Sequence, residues 1–270
     1  MIDDIHVLLV EDDFEARSMM ELLLRRDWRT KVTKSAKNPA ELSAVLEDIR
    51  KQKEKIDLIL MDTEIPLDPD HWIAEAQNQL DQKIPGTLVL YSGNDADVKV
   101  AKMWARKNFA GYILKDEIRF SVAWAVVLAN DHRIIVTPGV CKLFGWENPL
   151  PPGSLIVDGR QPIAGFTEQD AERARMAFIF SMQRHEMADE LGTSEDYSYG
   201  IVSGLFEKMG LNDIFKGDVK PEQYFDIHPA VRPHLKKIID HLHRTTSKKV
   251  VDIETLAFHY ITLPEIEEIH

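Results

Sequence analysis

The chain has very little cysteine: one residue, Cys141, in 270. That excludes an internal disulfide and suits a reducing compartment. Cys141 lies among apolar residues and reads as a small core residue, not a nucleophile. No apolar run approaches the roughly 18 residues a membrane span needs. The opening, MIDDIHVLLVEDD, starts acidic and runs straight into a strand pattern, so it does not read as an export signal. The expectation is a cytoplasmic protein with no membrane contact. Positive charge is also short: 33 Lys and Arg stand against 45 Asp and Glu, for a net charge of −12. The deficit is uneven. Residues 1–125 carry 18 basic against 23 acidic side chains, 126–165 balance, and 166–213 carry only 4 against 10. An acidic surface of that kind repels phosphate backbones.

What is present in the first half is alternation. His6–Val10 is a short apolar run that stops at carboxylates. Residues 14–26 place Phe14, Met19, Leu22 and Leu23 at helical spacing, and 39–52 do the same with Leu42, Val45, Leu46 and Ile49. Strands are expected at Lys31–Thr33, Ile56–Met61, Thr87–Tyr91 and Gly111–Leu114, and helices at 71–81, 95–108 and 117–130. Five strands alternating with five helices imply an α/β fold, a five-stranded doubly wound parallel sheet of flavodoxin-like type. Its active crevice lies at the carboxyl ends of the strands.

Those ends carry chemistry. The first strand runs into Glu11, Asp12 and Asp13, the third into Asp62, the fourth into Ser92 and Gly93, and the fifth into Lys115. Carboxylates converging from two strands repel one another unless a cation joins them, and hard oxygen ligands suit Mg²⁺. A carboxylate beside that metal can attack a phosphoryl group, because metal and lysine neutralise the transferred oxygens. "LLVEDD", "LILMDTEIP", "LYSG" and "GYILK" together resemble the landmarks of a response-regulator receiver domain over residues 1–130. The resemblance implies Asp62 as phosphoacceptor and Mg²⁺ as cofactor. It makes Glu11 and Asp12 the metal-binding pair, with the backbone carbonyl of Glu64 completing the protein ligands. Ser92 and Lys115 would bind phosphoryl oxygens, and Tyr112 would be the switch aromatic, coupling the site to a face near the fourth helix; Trp104 on that helix is read either as part of that face or as a packed core residue. Asp13 is expected in solvent. The implied partner is a histidine kinase, with a homodimer through the receiver. The implied role is a signalling switch that promotes its own phosphotransfer and dephosphorylation, not an enzyme with a separate substrate. Two positions depart from the pattern: Asp116 follows the lysine in place of the usual Pro, and "PLDPDHW" lacks the usual Gly after Pro66.

Residues 131–165 read as a connector and proline-rich linker, since "ENPLPPGSLIVDGRQP" holds four prolines in sixteen residues. Residues 166–213 resemble the helix-turn-helix output domain of NarL/LuxR-type regulators, an all-α unit. "FTEQDAERARMAFIF" fills the place of its opening helix, with Thr167 as cap and Asp170 in the first turn, and "RHEMADELGTSED" that of the next helix and turn. "YGIVSGLFEKMGL" sits where the DNA-reading helix belongs, with Ile201, Val202, Leu205, Phe206 and Met209 inward. Its groove side offers Asp196, Tyr199, Gly200, Ser203 and Glu207 where related helices are basic or polar. The four-residue spacing of Gly200 and Gly204 would let another backbone approach closely, and they are expected to pack against a neighbouring helix inside the domain, the alternative being an intermolecular contact. Residues 214–270 form an extension in which "VRPHLKKIIDHLHRTTSKK" carries six basic residues against one acidic. That stretch would neutralise the acidic helix-turn-helix surface or touch phosphates itself. The resemblance as a whole implies a response regulator acting in transcription through an atypical output. The alternative is a signalling adaptor whose acidic helix-turn-helix domain binds protein in place of DNA. No DNA-binding residue is identifiable.

Overall fold

The computed structural model describes residues 4–65, 69–95, 106–144, 150–163, 165–245 and 249–270. The expected helix over 95–108 with Trp104, and the turn after Pro66, lie outside the described residues. Contacts divide the chain into two units. One is Met1–Arg160 together with Ile266–His270; the other is Gln161–Glu265.

The first unit is an eight-stranded sheet in the order β2-β1-β3-β4-β5-β6-β7-β8. Its strands are β1 (Ile5–Val10), β2 (Thr30–Ala36), β3 (Leu58–Asp62), β4 (Leu88–Gly93), β5 (Phe109–Leu114), β6 (Ile135–Val136), β7 (Leu155–Asp158) and β8 (Glu265–Glu268). Pairing from β1 through β7 is parallel. A parallel sheet is covered on both faces, so its strands read as continuous apolar runs. All five residues of β3 are buried accordingly.

The helices of this unit start and stop for local reasons. Asp13 caps the Phe14–Arg26 helix, its carboxylate accepting from the Ala16 amide at 2.7 Å. Asp13 is exposed, as expected, and serves as the cap as well. The buried stripe of that helix is Met20, Leu23 and Leu24. Phe14, counted among the apolar positions at helical spacing, is 72% exposed, with the Arg17 guanidinium 5.7 Å from its ring centre. Asn38 caps Pro39–Gln52, which buries Leu42, Leu46 and Ile49 against β1 and β3 residues such as Leu8 and Ile59. The expected helix over 117–130 is split into a single turn (Lys115–Ile118), a 3-10 turn (Arg119–Ser121) and Val122–Asn130. Trp124 in the last piece is fully buried under the Arg29 guanidinium, 3.8 Å away, and Arg29 is paired with buried Asp27 at 2.5 Å.

The segment read as connector and linker is corrected. It supplies β6 and β7 to the first unit's sheet. Gly111, at φ +140°, makes this possible: a Cβ there would lie 1.8 Å from the Ile135 carbonyl oxygen, so only glycine lets β6 lie beside β5. Two-residue strands carry too little pattern for periodicity to find. The extension is corrected as well. Its last residues form β8, where the Ile269 amide donates to the Ser154 carbonyl at 2.9 Å and Arg133 pairs with Glu268 at 2.8 Å. The second unit is therefore inserted between two strands of the first unit's sheet.

The second unit is helical. Thr167 and Asp170 form a capping box at the head of Glu168–Ala174, as expected. That helix runs into a π turn, Arg175–Ile179. Arg184–Glu190 and Glu195–Lys208 follow, joined through Gly192 at φ +61° and capped by Ser194. Val202, Leu205 and Met209 are buried, with Ile201 and Phe206 partly so, and Phe206 stacks on Phe178 at 5.1 Å. The expected inward stripe is thus present. Gly200 and Gly204 meet nothing within 4 Å, so the packing expected of them is corrected: they face open space. The tail is part of this core. Lys249–Ile261 buries Leu256, Ala257 and Phe258, and Tyr260 stacks on Phe225 at 4.4 Å. No helix among the described residues is long and apolar enough to cross a membrane.

Candidate active site

The strand order β2-β1-β3-β4-β5 reverses between β1 and β3, and ligands of such sheets sit outside the carboxyl ends at that reversal. Glu11, Asp12 and Asp62 meet there, each with a carboxylate oxygen within 4.8 Å of the others. Glu11 and Asp62 are buried, and Asp12 is half-buried. Asp62 ends β3 in register with Ser92 of β4. Lys115, first residue after β5, brings its ammonium to 2.8 Å from Glu11 and 3.3 Å from Asp62. The helical turn that begins at Lys115 is fixed by residues that follow β6 and β7. Glu117 accepts from the Gly139 amide at 2.8 Å and pairs with Arg160 at 3.2 Å, and its carbonyl accepts from Gly159 at 2.9 Å. Arg17 donates to the carbonyls of Glu11 and Asp12 at 2.7 and 3.0 Å, which holds the acidic turn.

Burial and the Asp62 charge push the Glu11 carboxyl up from 4.5 to about 7. Burial likewise raises Asp62, against the opposing pull of Lys115. Burial pulls the Lys115 ammonium down, but its hydrogen bond to Glu11 and the charge of Asp62 outweigh this and the net shift is upward. One cation faces three converging carboxylates, so the cluster holds more negative charge than Lys115 offsets. Hard oxygen donors with that excess fit a small divalent cation such as Mg²⁺. Glu11, Asp12 and Asp62 would hold it.

Ser92 is 1% exposed, and its hydroxyl has no hydrogen-bond partner among the described residues. The Glu64 amide donates to Asp62 at 3.2 Å, whereas the Glu64 carboxylate turns away and accepts from the Asn94 amide at 2.7 Å. Its side chain is therefore not one of the converging carboxylates. Tyr112 is 2% exposed, with its hydroxyl 2.9 Å from Thr63 Oγ1. Three contributors were not singled out from sequence. Thr63 reaches Tyr112, Trp72 donates its indole N–H to the Asp62 carbonyl at 3.2 Å, and Arg17 steadies the acidic turn. Thr63 had one available signal, its place next to Asp62. Trp72 and Arg17 had none.

No family model and no curated protein matches this chain. Solved structures do resemble it. The response regulator ChrA of a heme-sensing two-component system is 20% identical, covers 77% of this chain and 90% of its own, and has a TM-score of 0.39. RcsB in complex with DNA is 11% identical over 90% of this chain and 100% of its own, with a TM-score of 0.44. The receiver domain of NarL from Mycobacterium tuberculosis is 22% identical over 48% of this chain and 99% of its own, with a TM-score of 0.39. These likenesses describe similarity alone; the chemistry rests on the site's own geometry.

Proposed function

We propose that the first unit is a phosphoacceptor receiver and that the chain is a two-component response regulator. The observation that carries this is the Asp62 carboxylate, 3.3 Å from the Lys115 ammonium, in a cluster with Glu11 and Asp12 and in register with Ser92, whose hydroxyl has no partner among the described residues. An Asp62 oxygen attacks the phosphorus of a kinase phosphohistidine. The P–N bond breaks, the imidazole leaves and is protonated, and an acyl phosphate forms on Asp62. Lys115 and the Ser92 hydroxyl take the phosphoryl oxygens. Bound Mg²⁺ would supply neutralisation of the transferred charge. Water later cleaves the acyl phosphate and restores the carboxylate. Incubation with a small acyl phosphate and Mg²⁺ should add one phosphoryl mass to the intact chain and none to Asp62→Asn. An adduct that persists in Asp62→Asn, or none in the wild type, contradicts the reading.

Phosphorylation then controls the second unit, and the output is transcription regulation with an altered DNA contact. The Glu195–Lys208 helix exposes Asp196, Tyr199, Gly200, Ser203 and Glu207. Its one cation, Lys208, is held by Asp170 at 2.6 Å, and nearby Arg184 by Glu254 at 2.7 Å. Lys236, Lys237 and Arg244 are exposed on the Arg232–Thr245 helix and form no ion pair with Asp196 or Glu207 among the described residues. They are the phosphate contacts of this reading, each adding roughly 0.9 to the salt slope. The acidic helix favours a second reading, an adaptor that binds protein. Fluorescence anisotropy with genomic DNA fragments over a salt series separates the two. A steep slope that flattens in Lys236→Glu/Lys237→Glu supports DNA contact, and no binding at low salt supports the adaptor.

A further inference from the structure

We propose that Thr63, the residue after the phosphoacceptor, holds Tyr112 in its buried position before any phosphoryl group arrives. The switch aromatic is then preset inward and is not moved by phosphorylation. This rests on the reading of Asp62 as phosphoacceptor. Three hydroxyls gather at the ends of β3, β4 and β5: Thr63, Ser92 and Tyr112. A tyrosine that follows phosphorylation would take its cue from Ser92, the hydroxyl placed to meet a phosphoryl oxygen. Ser92 Oγ, however, has no hydrogen-bond partner among the described residues. The Tyr112 hydroxyl instead donates to Thr63 Oγ1 at 2.9 Å, and the Asp95 carbonyl oxygen lies 3.1 Å from the same hydroxyl. Thr63 is itself fixed, its amide and hydroxyl donating to the Ser92 carbonyl at 2.9 and 3.1 Å.

The space for this arrangement comes from Gly93. A Cβ at that position would lie 2.2 Å from the Tyr112 hydroxyl oxygen and 2.9 Å from Thr63 Oγ1. Any side chain there would push the ring out. The sequence thus supplies both a hydroxyl to hold Tyr112 and a gap to admit it, and neither involves the Ser92 side chain. The Ser92 hydroxyl can donate to a phosphoryl oxygen without drawing the ring after it. Burial alone would keep Tyr112 inside whatever stood at position 63, and the test separates that from a hydrogen-bonded anchor.

The test uses the full chain labelled with 3-fluorotyrosine, with the Tyr112 resonance assigned through Tyr112→Phe. Fluorine spectra are taken with and without Mg²⁺ and beryllofluoride, whose protein-bound fluoride signals report occupancy of the Asp62 site independently. The wild-type Tyr112 resonance is expected at the same position in both states. Thr63→Val should shift the inward-to-outward ratio of the unliganded chain about fivefold, the effect of one net hydrogen bond, and Thr63→Ser should restore it. Gly93→Ala should displace the resonance in both states; the Thr63 pair decides if that variant does not fold. A wild-type resonance that moves on beryllofluoride binding overturns the preset switch. A Thr63→Val spectrum matching wild type overturns the anchor. Absence of bound-fluoride signals instead overturns the phosphoacceptor reading, and the preset switch with it.

Discussion

Glu11 is a residue whose ionisation is set by its place. Its carboxyl is raised from 4.5 to about 7 by burial and by Asp62. A group raised in the folded state contributes stability that is whole below its unfolded value and is lost as pH climbs through the folded one. In metal-free buffer Glu11 should therefore cost the first unit stability between about pH 4.5 and about pH 7. Glu11→Gln should be nearly neutral at pH 5 and stabilising at pH 8, and added Mg²⁺ should narrow the difference at pH 8. Denaturant unfolding at the two pH values checks this; an equal effect at both would rule out the buried charge as its cause. Residue types at strand ends were legible here, because carboxylates, a serine and a lysine each follow an apolar run. The partners of Glu64 and Tyr112 were not, because a side chain's direction after a strand depends on loop geometry that spacing does not encode.

At the scale of elements, two amphipathic helices were legible to the residue, whereas the helix expected over 71–81 runs Pro69–Lys83. Phe14–Arg26 and Pro39–Gln52 each combine a cap with an apolar stripe. The recognition-like helix was legible in extent and misleading in one respect. Two glycines four apart suggest a close neighbour, yet Gly200 and Gly204 face open space. Their only intrinsic effect on the folded unit is the loss of helix propensity. Gly200→Ala and Gly204→Ala should therefore each stabilise the second unit by about 1 kcal/mol, read as a higher unfolding midpoint. A loss of stability in either would mean that something packs on that face. If the adaptor reading holds, the same substitutions should weaken partner binding while raising stability, because the added methyl groups stand where a partner backbone would approach.

At the scale of the molecule, the second unit is an insertion. The chain leaves the first unit after Arg160 and returns at Ile266. That organisation was hidden from sequence because β6, β7 and β8 are two, four and four residues long. β8 is also acidic and half-exposed, unlike the buried apolar strands that periodicity detects. Truncation after Glu265 should remove the Ile269 backbone bonds and the Arg133–Glu268 pair. Faster hydrogen exchange at the Gly153 amide and a lower unfolding midpoint of the first unit are expected. Arg133→Ala should do much less, because a partly exposed ion pair is worth under about 1 kcal/mol. Unchanged exchange after truncation would contradict the role of β8 as a closing strand.

The return of the chain to its first sheet also sets an order of events during synthesis. A ribosome delivers β1 through β7 first, then the whole inserted unit, and only afterwards the residues that close the β7 edge. Until then the nascent first unit presents an unfilled strand edge to the cell, the kind of surface that pairs with other chains. The acidic strand delivered after the inserted unit therefore ends an interval of exposure, and slow translation of residues 161–265 would lengthen it.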